Sequence, residues 1–208
     1  MSRPLILDLF CGQGGAAKGY HDAGFEVVGV DIVPQPRYPY EFVQADALRA
    51  VVTLAHEFDA IHASPPCQHY TKAQRIRDYA HADLVRYTRK AMEAYDVPWI
   101  IENVPGAPLS HPITLCGTMF GLRLYRHRLF ETSWPLSQPD HPKHVAPQVK
   151  MGRKPKPHEF LQPVGNFSGA EEARVAMEMP WASRDGLREA IPPAYTRWIG
   201  GQLMVVLP

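Results

Sequence analysis

Three cysteines in 208 residues are too few to frame a disulfide-stapled fold, and Cys11, Cys67 and Cys116 lie too far apart in the chain to suggest one. No CxxC pair offers a structural zinc site, and no metal is expected. No apolar run approaches the roughly 20 residues of a membrane-spanning helix, so no membrane partner is expected. The early run Leu5-Ile6-Leu7 is broken by Asp8 and Cys11-Gly12 and does not read as a signal peptide. A reducing, cytoplasmic setting follows as the expectation. There is no internal repeat, and little net charge: the total is only +1. That near-neutrality conceals a segregation. Residues 123–158 carry eight Lys or Arg against two acids, and residues 68–90 carry six against two, which leaves a net of −9 on the rest. Two basic surfaces facing a polyanion would explain this, as would two solvated faces with no partner.

What is present is an ordinary globular composition, 45% hydrophobic and 21% charged, in a length that suits one domain with a substantial core. Short apolar runs alternate with helix-like stretches through the first hundred residues. Strands are predicted at Pro4–Leu9, Phe25–Val30, Glu41–Ala45, Asp59–Ala63 and Trp99–Glu102. Helices are predicted near Ala16–Ala23, Ala47–His56 and Ala82–Tyr95. This alternation predicts an α/β fold, a mostly parallel sheet with helices on both faces and ligand-binding loops along one sheet edge. After Val104 prolines and glycines multiply, and Pro135–Pro163 reads as a long loop. Regular structure is expected again near Arg184, with a closing helix over Tyr195–Leu203.

The first strand runs into Asp8-Leu9-Phe10-Cys11-Gly12-Gln13-Gly14-Gly15. Glycines there let the backbone turn sharply and approach a ligand closely. Asp31 ends the second strand, where a carboxylate can accept from both ribose hydroxyls, and Asp46 follows the third and could reach an adenine amino group. For Asp46 the plain alternative is a helix N-cap. Residues 12–17 also satisfy the GxGxxA dinucleotide fingerprint, so an NAD-dependent oxidoreductase fits this loop as well.

Ser64-Pro65-Pro66-Cys67-Gln68 follows the fourth strand at the same edge, where two prolines stiffen the loop. Glu102-Asn103-Val104 follows the fifth. A thiolate paired with a carboxyl suits cytosine, whose C5 is too weak a nucleophile to attack a methyl donor unaided. Addition of Cys67 to C6, with Glu102 supplying a proton or hydrogen bond at N3, makes an enamine whose C5 is nucleophilic. The oxidoreductase reading gives Cys67 and Glu102 no comparable pairing.

These stretches resemble the DNA (cytosine-5) methyltransferase family. Asp8–Gly15 is similar to its cofactor loop, Pro65-Pro66-Cys67-Gln68 to its nucleophile motif and Glu102-Asn103-Val104 to its glutamate motif. Arg126-His127-Arg128 resembles its arginine pair and Ala190-Ile191-Pro192-Pro193 part of its last motif. The resemblance covers about the first 130 residues and the final 25. It implies a class I, Rossmann-like fold that uses S-adenosylmethionine. Catalytic roles fall to Cys67, Glu102, Arg126 and Arg128. Asp8, Phe10, Gly12, Gly14, Gly15, Asp31, Ile32, Asp46, Ala47 and Pro65 would bind the cofactor, and Pro66, Gln68, Asn103 and Val104 the substrate. The target cytosine of double-stranded DNA would be flipped out of the stack.

Leu124 stands where the family often has Gln, and Arg188-Glu189 replaces an expected Gly-Asn. The larger departure is length. Residues 1–130 and 184–208 would form the catalytic domain, leaving 131–183 as a reduced, basic recognition insert with Lys143, Lys150, Arg153, Lys154 and Lys156. Phosphate contacts carry no direct sequence information, which implies relaxed specificity or a partner that supplies it. His141, His144 and His158 match no usual metal spacing and read as loop histidines. A monomer is expected, in a phage or other mobile-element setting such as restriction–modification. Two alternatives remain: the same chemistry on RNA or nucleotide cytosine, and a silent protein that binds cofactor and DNA.

Overall fold

A computed structural model describes residues 2–66, 83–149 and 152–207. Cys67, Gln68 and Lys150 lie outside these described residues.

Seven strands form one sheet: β1 (Leu5–Leu9), β2 (Glu26–Asp31), β3 (Glu41–Gln44), β4 (Ala60–Ala63), β5 (Trp99–Asn103), β6 (Ile113–Leu115) and β7 (Arg128–Thr132). Their order is β3-β2-β1-β4-β5-β7-β6. The first five are parallel, and β7 runs antiparallel between β5 and β6. The described helices are α1 (Gly15–Ala23), α2 (Ala47–Leu54), α3 (Leu84–Met92), α4 (Ala170–Ala176), α5 (Arg184–Glu189) and α6 (Pro193–Val206). None is long and apolar enough to cross a membrane.

The five predicted strands and the mostly parallel sheet are present, with boundaries one residue off in places. β6, β7 and α4 were not foreseen, and the closing helix begins two residues earlier and ends three later than expected. Pro193 explains the early start, since proline at a first helical position loses no hydrogen bond.

Period-two alternation distributes the core. Ile6, Ala60 and Ile100 face α1 and α6 together with Tyr20, Tyr195, Ile199 and Leu203. Leu7, Leu9, Ile61, Trp99 and Ile101 face the other way, against Val51 and Met92 of α2 and α3. A third cluster joins Leu124 to Leu161, Phe167, Met177, Met179 and Leu187, so residues 161–187 pack onto the segment that leads into β7. Strand order reverses between β1 and β4, which opens a crevice beyond their carboxyl ends.

Helices α1 and α6 cross at small residues. A Cβ on Gly19 would overlap Thr196 Oγ1 and the Pro193 carbonyl, and Thr196 Oγ1 donates 2.8 Å to the Ala16 carbonyl. Gly19→Ala therefore opposes two effects. Helix propensity favours alanine by about 1 kcal/mol, whereas overpacking costs about 1–3 kcal/mol or more where backbone must move. We expect net destabilisation, read as a lower urea midpoint at unchanged m. An equal or higher midpoint would show that the crossing relaxes freely.

Candidate active site

The crevice is lined by three strand ends. β1 is followed by Phe10, whose φ of 57° is left-handed and uncommon for a bulky residue, and the chain turns there into the glycine loop. Phe10 is half-buried against the α2/α3 side of the core. Gly12 has a φ of +49°, and a Cβ on it would meet nothing within 4 Å, so its backbone faces open space. The crevice side of the turn is thus free for a ligand. Gly14 is the left-handed residue before α1, and a Cβ on Gly15 would overlap the Ile191 carbonyl. Gln13 secures the far side: its side chain donates 2.9 Å to Ser183 Oγ and accepts 2.8 Å from the Ser183 amide, and its carbonyl accepts 2.7 Å from Trp181 Nε1. Residues 181–193 thereby complete the loop, a connection the resemblance located only as the last motif.

Asp31 accepts from the Gly12 and Val33 amides, at 3.1 and 3.0 Å, which fixes its carboxylate beside the loop. Ile32 next to it is 66% exposed, an apolar surface at the crevice rim. Asp46 caps α2 by accepting 2.9 Å from the Arg49 amide, the plain alternative for this residue; Ala47 is the buried first residue of that helix.

Asp8 is fully buried on the α1/α6 face. Tyr38 donates to its Oδ2 at 3.4 Å, and its Oδ1 has no hydrogen-bond partner. Burial chiefly, with help from the Asp31 charge, pushes its carboxyl up to about 8, against hydrogen bonds from Tyr38 and the Ala17 backbone. The folded chain therefore holds a proton that the unfolded chain releases near pH 4. Stability is fully present below that value and falls as pH rises towards 8, by up to about 1.4 kcal/mol per unit. Asp8→Asn is expected to flatten this slope in urea unfolding between about pH 5 and 8. Parallel slopes for variant and parent would show that another group sets it. Burial likewise pushes the Cys11 thiol far up, so Cys11 is a packed side chain rather than a nucleophile.

Across the crevice, Asn103 at the end of β5 donates 2.9 Å to the Pro65 carbonyl and accepts 2.9 Å from the Val104 amide. The loop that leads to Cys67 is thus tied to the strand that carries Glu102. Pro65 is buried, Pro66 exposed and Val104 half-buried.

Glu102 is buried, with Arg128 Nε 3.0 Å from its Oε1. Burial pushes its carboxyl above the usual range; Arg128, a hydrogen bond from Ser64 and the charge of Arg126 pull the other way. Ser64 continues a buried chain of polar groups: its Oγ lies 2.9 Å from His62 Nε2, and His62 Nδ1 lies 2.9 Å from Tyr20 Oη. Burial holds His62 down to about 3, so it stays neutral and passes on a hydrogen bond rather than a charge. Tyr20 and His62 were not anticipated, and Ser64 only as the first residue of the nucleophile loop. The signal was a histidine inside an otherwise apolar strand.

Arg126 and Arg128 both act on Glu102, but Arg126 also reaches away from the sheet. Its guanidinium donates 3.0 Å to the Pro163 carbonyl and 2.6 Å to that of Arg188, and its own carbonyl accepts 2.8 Å from Tyr195 Oη. It fastens the insert and α5 to the sheet. A cavity of about 490 Å³ opens beside it, lined by Pro105, Arg126 and Arg128 on the sheet side and Gln148, Leu161 and Pro163 on the insert side.

The same arrangement of strands and helices spans nearly whole solved chains. A protein described as a DNA modification methyltransferase from an Escherichia coli prophage superposes with a TM-score of 0.67 at 15% identity, covering 98% of this chain and 99% of that one. The Entamoeba histolytica methyltransferase EhMeth gives 0.66 at 12% identity, covering 99% of each. The fold is that of the class I methyltransferases. In sequence, the chain is 32% identical over 124 residues to the type II methyltransferase M.XorII of Xanthomonas oryzae pv. oryzae, a match covering 51% of this chain and 29% of that protein. It is 31% identical over 118 residues to M.HgiDI of Herpetosiphon aurantiacus, covering 50% and 38%. The chain thus spans about a third of the length of these curated relatives. No protein-family model matches it.

Proposed function

We propose that this chain methylates carbon 5 of cytosine in double-stranded DNA, using S-adenosylmethionine, through a covalent bond between Cys67 and C6. The observation that carries the reading is the hydrogen bond from Asn103 to Pro65, which sets a buried, pKa-raised Glu102 beside the loop entering Cys67. The crevice residues fit the cofactor. Gly12 leaves its backbone open, and Asp31 and exposed Ile32 offer a carboxylate and an apolar surface for a nucleoside. Bound S-adenosylmethionine supplies the electrophilic methyl group.

The chain's own residues activate the base. Cys67 thiolate adds to C6, and the displaced electron pair reaches N3, which Glu102 protonates. C5, now nucleophilic, takes the methyl group, the N3 proton returns to Glu102, and removal of the C5 proton by a base restores the C5–C6 double bond and expels Cys67. Arg128 neutralises Glu102 once it has given up its proton, and Ser64 orients its carboxyl. Pro65 and Pro66 stiffen the loop, and Arg126 holds the wall of the base pocket. Residues 131–183 serve as the reduced recognition region, gripping phosphates on either side of a flipped cytosine.

The test is transfer of label from methyl-tritiated S-adenosylmethionine to unmethylated duplex DNA, with RNA in parallel, followed by digestion to nucleosides. Label in 5-methyldeoxycytidine supports the reading. Label only in RNA, or on an exocyclic nitrogen, overturns it.

A further inference from the structure

Outside the crevice, four side chains that could ligate a metal converge: Cys116, His127, His141 and His144 place one ligand atom each within 4.8 Å of all the others. From this geometry we infer a structural zinc site of the Cys-His₃ type that joins the end of β6, the start of β7 and the segment following β7.

The distances suit the ion. A tetrahedron with zinc–nitrogen arms of about 2.0–2.1 Å has nitrogen–nitrogen edges of about 3.3 Å, and a sulfur arm of about 2.3 Å lengthens its edges to about 3.6 Å. His141 Nε2 stands 3.2 Å from His144 Nε2, and Cys116 Sγ stands 3.3 Å from the same nitrogen. Hydrogen bonding alone could account for those two approaches. It gives no reason for His127 to bring a third ring into the group, with centroids 5.0 Å from that of His144 and 5.4 Å from that of His141. No carboxylate belongs to the cluster, so the donor set is the nitrogen and sulfur set that zinc prefers.

The surroundings hold the ligands in place. Tyr125 stacks on His144 at 3.7 Å with an interplanar angle of 19°, and its hydroxyl donates 2.7 Å to the Ala146 carbonyl, which secures the segment carrying His144. Thr118 Oγ1 lies 3.2 Å from Cys116 Sγ, placed to donate to a thiolate. Cys116 is fully buried at the start of a one-turn helix, while His141 and His144 are exposed and close the site from outside. Four protein ligands leave no open position, so the ion crosslinks rather than catalyses. His127 precedes Arg128, so the crosslink anchors the segment after β7 next to the arginine that pairs with Glu102.

The test uses the whole chain, purified without chelator and without added metal, and does not depend on methylation. Mass spectrometry of the metal content should give about one zinc per chain. Replacing the zinc with Co²⁺ should produce the intense d–d bands of a tetrahedral site and a thiolate-to-cobalt charge-transfer band, retained in Cys67→Ala and Cys11→Ala and lost in Cys116→Ser. Should Cys116→Ser fail to fold, His141→Asn, altered at an exposed position, serves instead. Its Co²⁺ affinity should fall by more than the roughly 10–100-fold typical of losing an outer-shell partner. Chelation should lower the melting temperature of the parent and leave that of His141→Asn nearly unchanged. An isolated protein without zinc that shows no charge-transfer band with Co²⁺, or Co²⁺ spectra and affinities identical in parent and variants, would overturn the inference.

Discussion

Glu102→Gln is expected to lower turnover by about 10²–10⁴-fold, the range for removing a positioned proton donor, equivalent to about 3–5 kcal/mol of transition-state stabilisation. Glutamine keeps the shape of the side chain and can still offer a hydrogen bond at N3, but it cannot deliver a proton there. The environment of Glu102 makes that distinction matter: burial holds the carboxyl above the ordinary range despite the nearby Arg128. In the parent, activity that needs the protonated acid is present below that raised pKa and declines as pH rises through it. In the variant this part of the alkaline decline should vanish, leaving only the rise due to thiol ionisation. Initial rates across pH, with thermal unfolding to confirm that Arg128 tolerates a neutral partner, check both points. A variant within about threefold of the parent would assign Glu102 to structure, since such a ratio is under 1 kcal/mol.

Cys67→Ala should reduce methyl transfer to the level of a protein-free control, because without a bond at C6 no enamine forms and C5 remains unreactive. The partner experiment traps the bond itself. On duplex DNA carrying 5-fluorocytosine, fluorine occupies the position from which a proton must leave, so the adduct cannot resolve. The parent should then run as a denaturant-resistant protein–DNA species that requires S-adenosylmethionine, and Cys67→Ala should run free. Residual transfer by Cys67→Ala well above background would remove the covalent step while leaving the fold and the crevice as described.

Much of the sheet was legible because β1, β2, β4 and β5 are buried on both faces and therefore read as short apolar runs. The positions of the glycine turn, Asp31 and Glu102 were legible for a related reason, since each stands at or just after the end of such a run. β6 has only three residues, and β7 carries Arg128 and Glu131 in a five-residue strand, so neither shows a run or a clean alternation. Glu131 is buried because Arg89 of α3 holds it with two bonds of 2.7 Å, a pairing 42 residues apart that no local pattern announces. α4 escaped because one buried residue, Ala173, is all that faces its core. The Cys116 cluster escaped because its members lie 11, 14 and 3 residues apart, and only His141 and His144 share a short spacing. Asp46 shows the opposite case: a residue type suited to two roles, where local helix chemistry explains its side chain.

In the order of synthesis the glycine loop precedes its partners by a long interval. Gln13 meets Ser183 across 170 residues, and Ala16 meets Thr196 across 180. At roughly 5–20 residues per second, about ten to forty seconds of translation separate the two halves of that contact. Closing so long a loop costs about 4–5 kcal/mol in chain entropy, which the packing of α6 on α1 and the bonds of Gln13 to Trp181 and Ser183 offset. A nascent chain halted before Trp181 therefore has its ligand loop made but unsupported. The loop gains its support only once residues 181–196 have emerged, and until then it stays open to proteolysis.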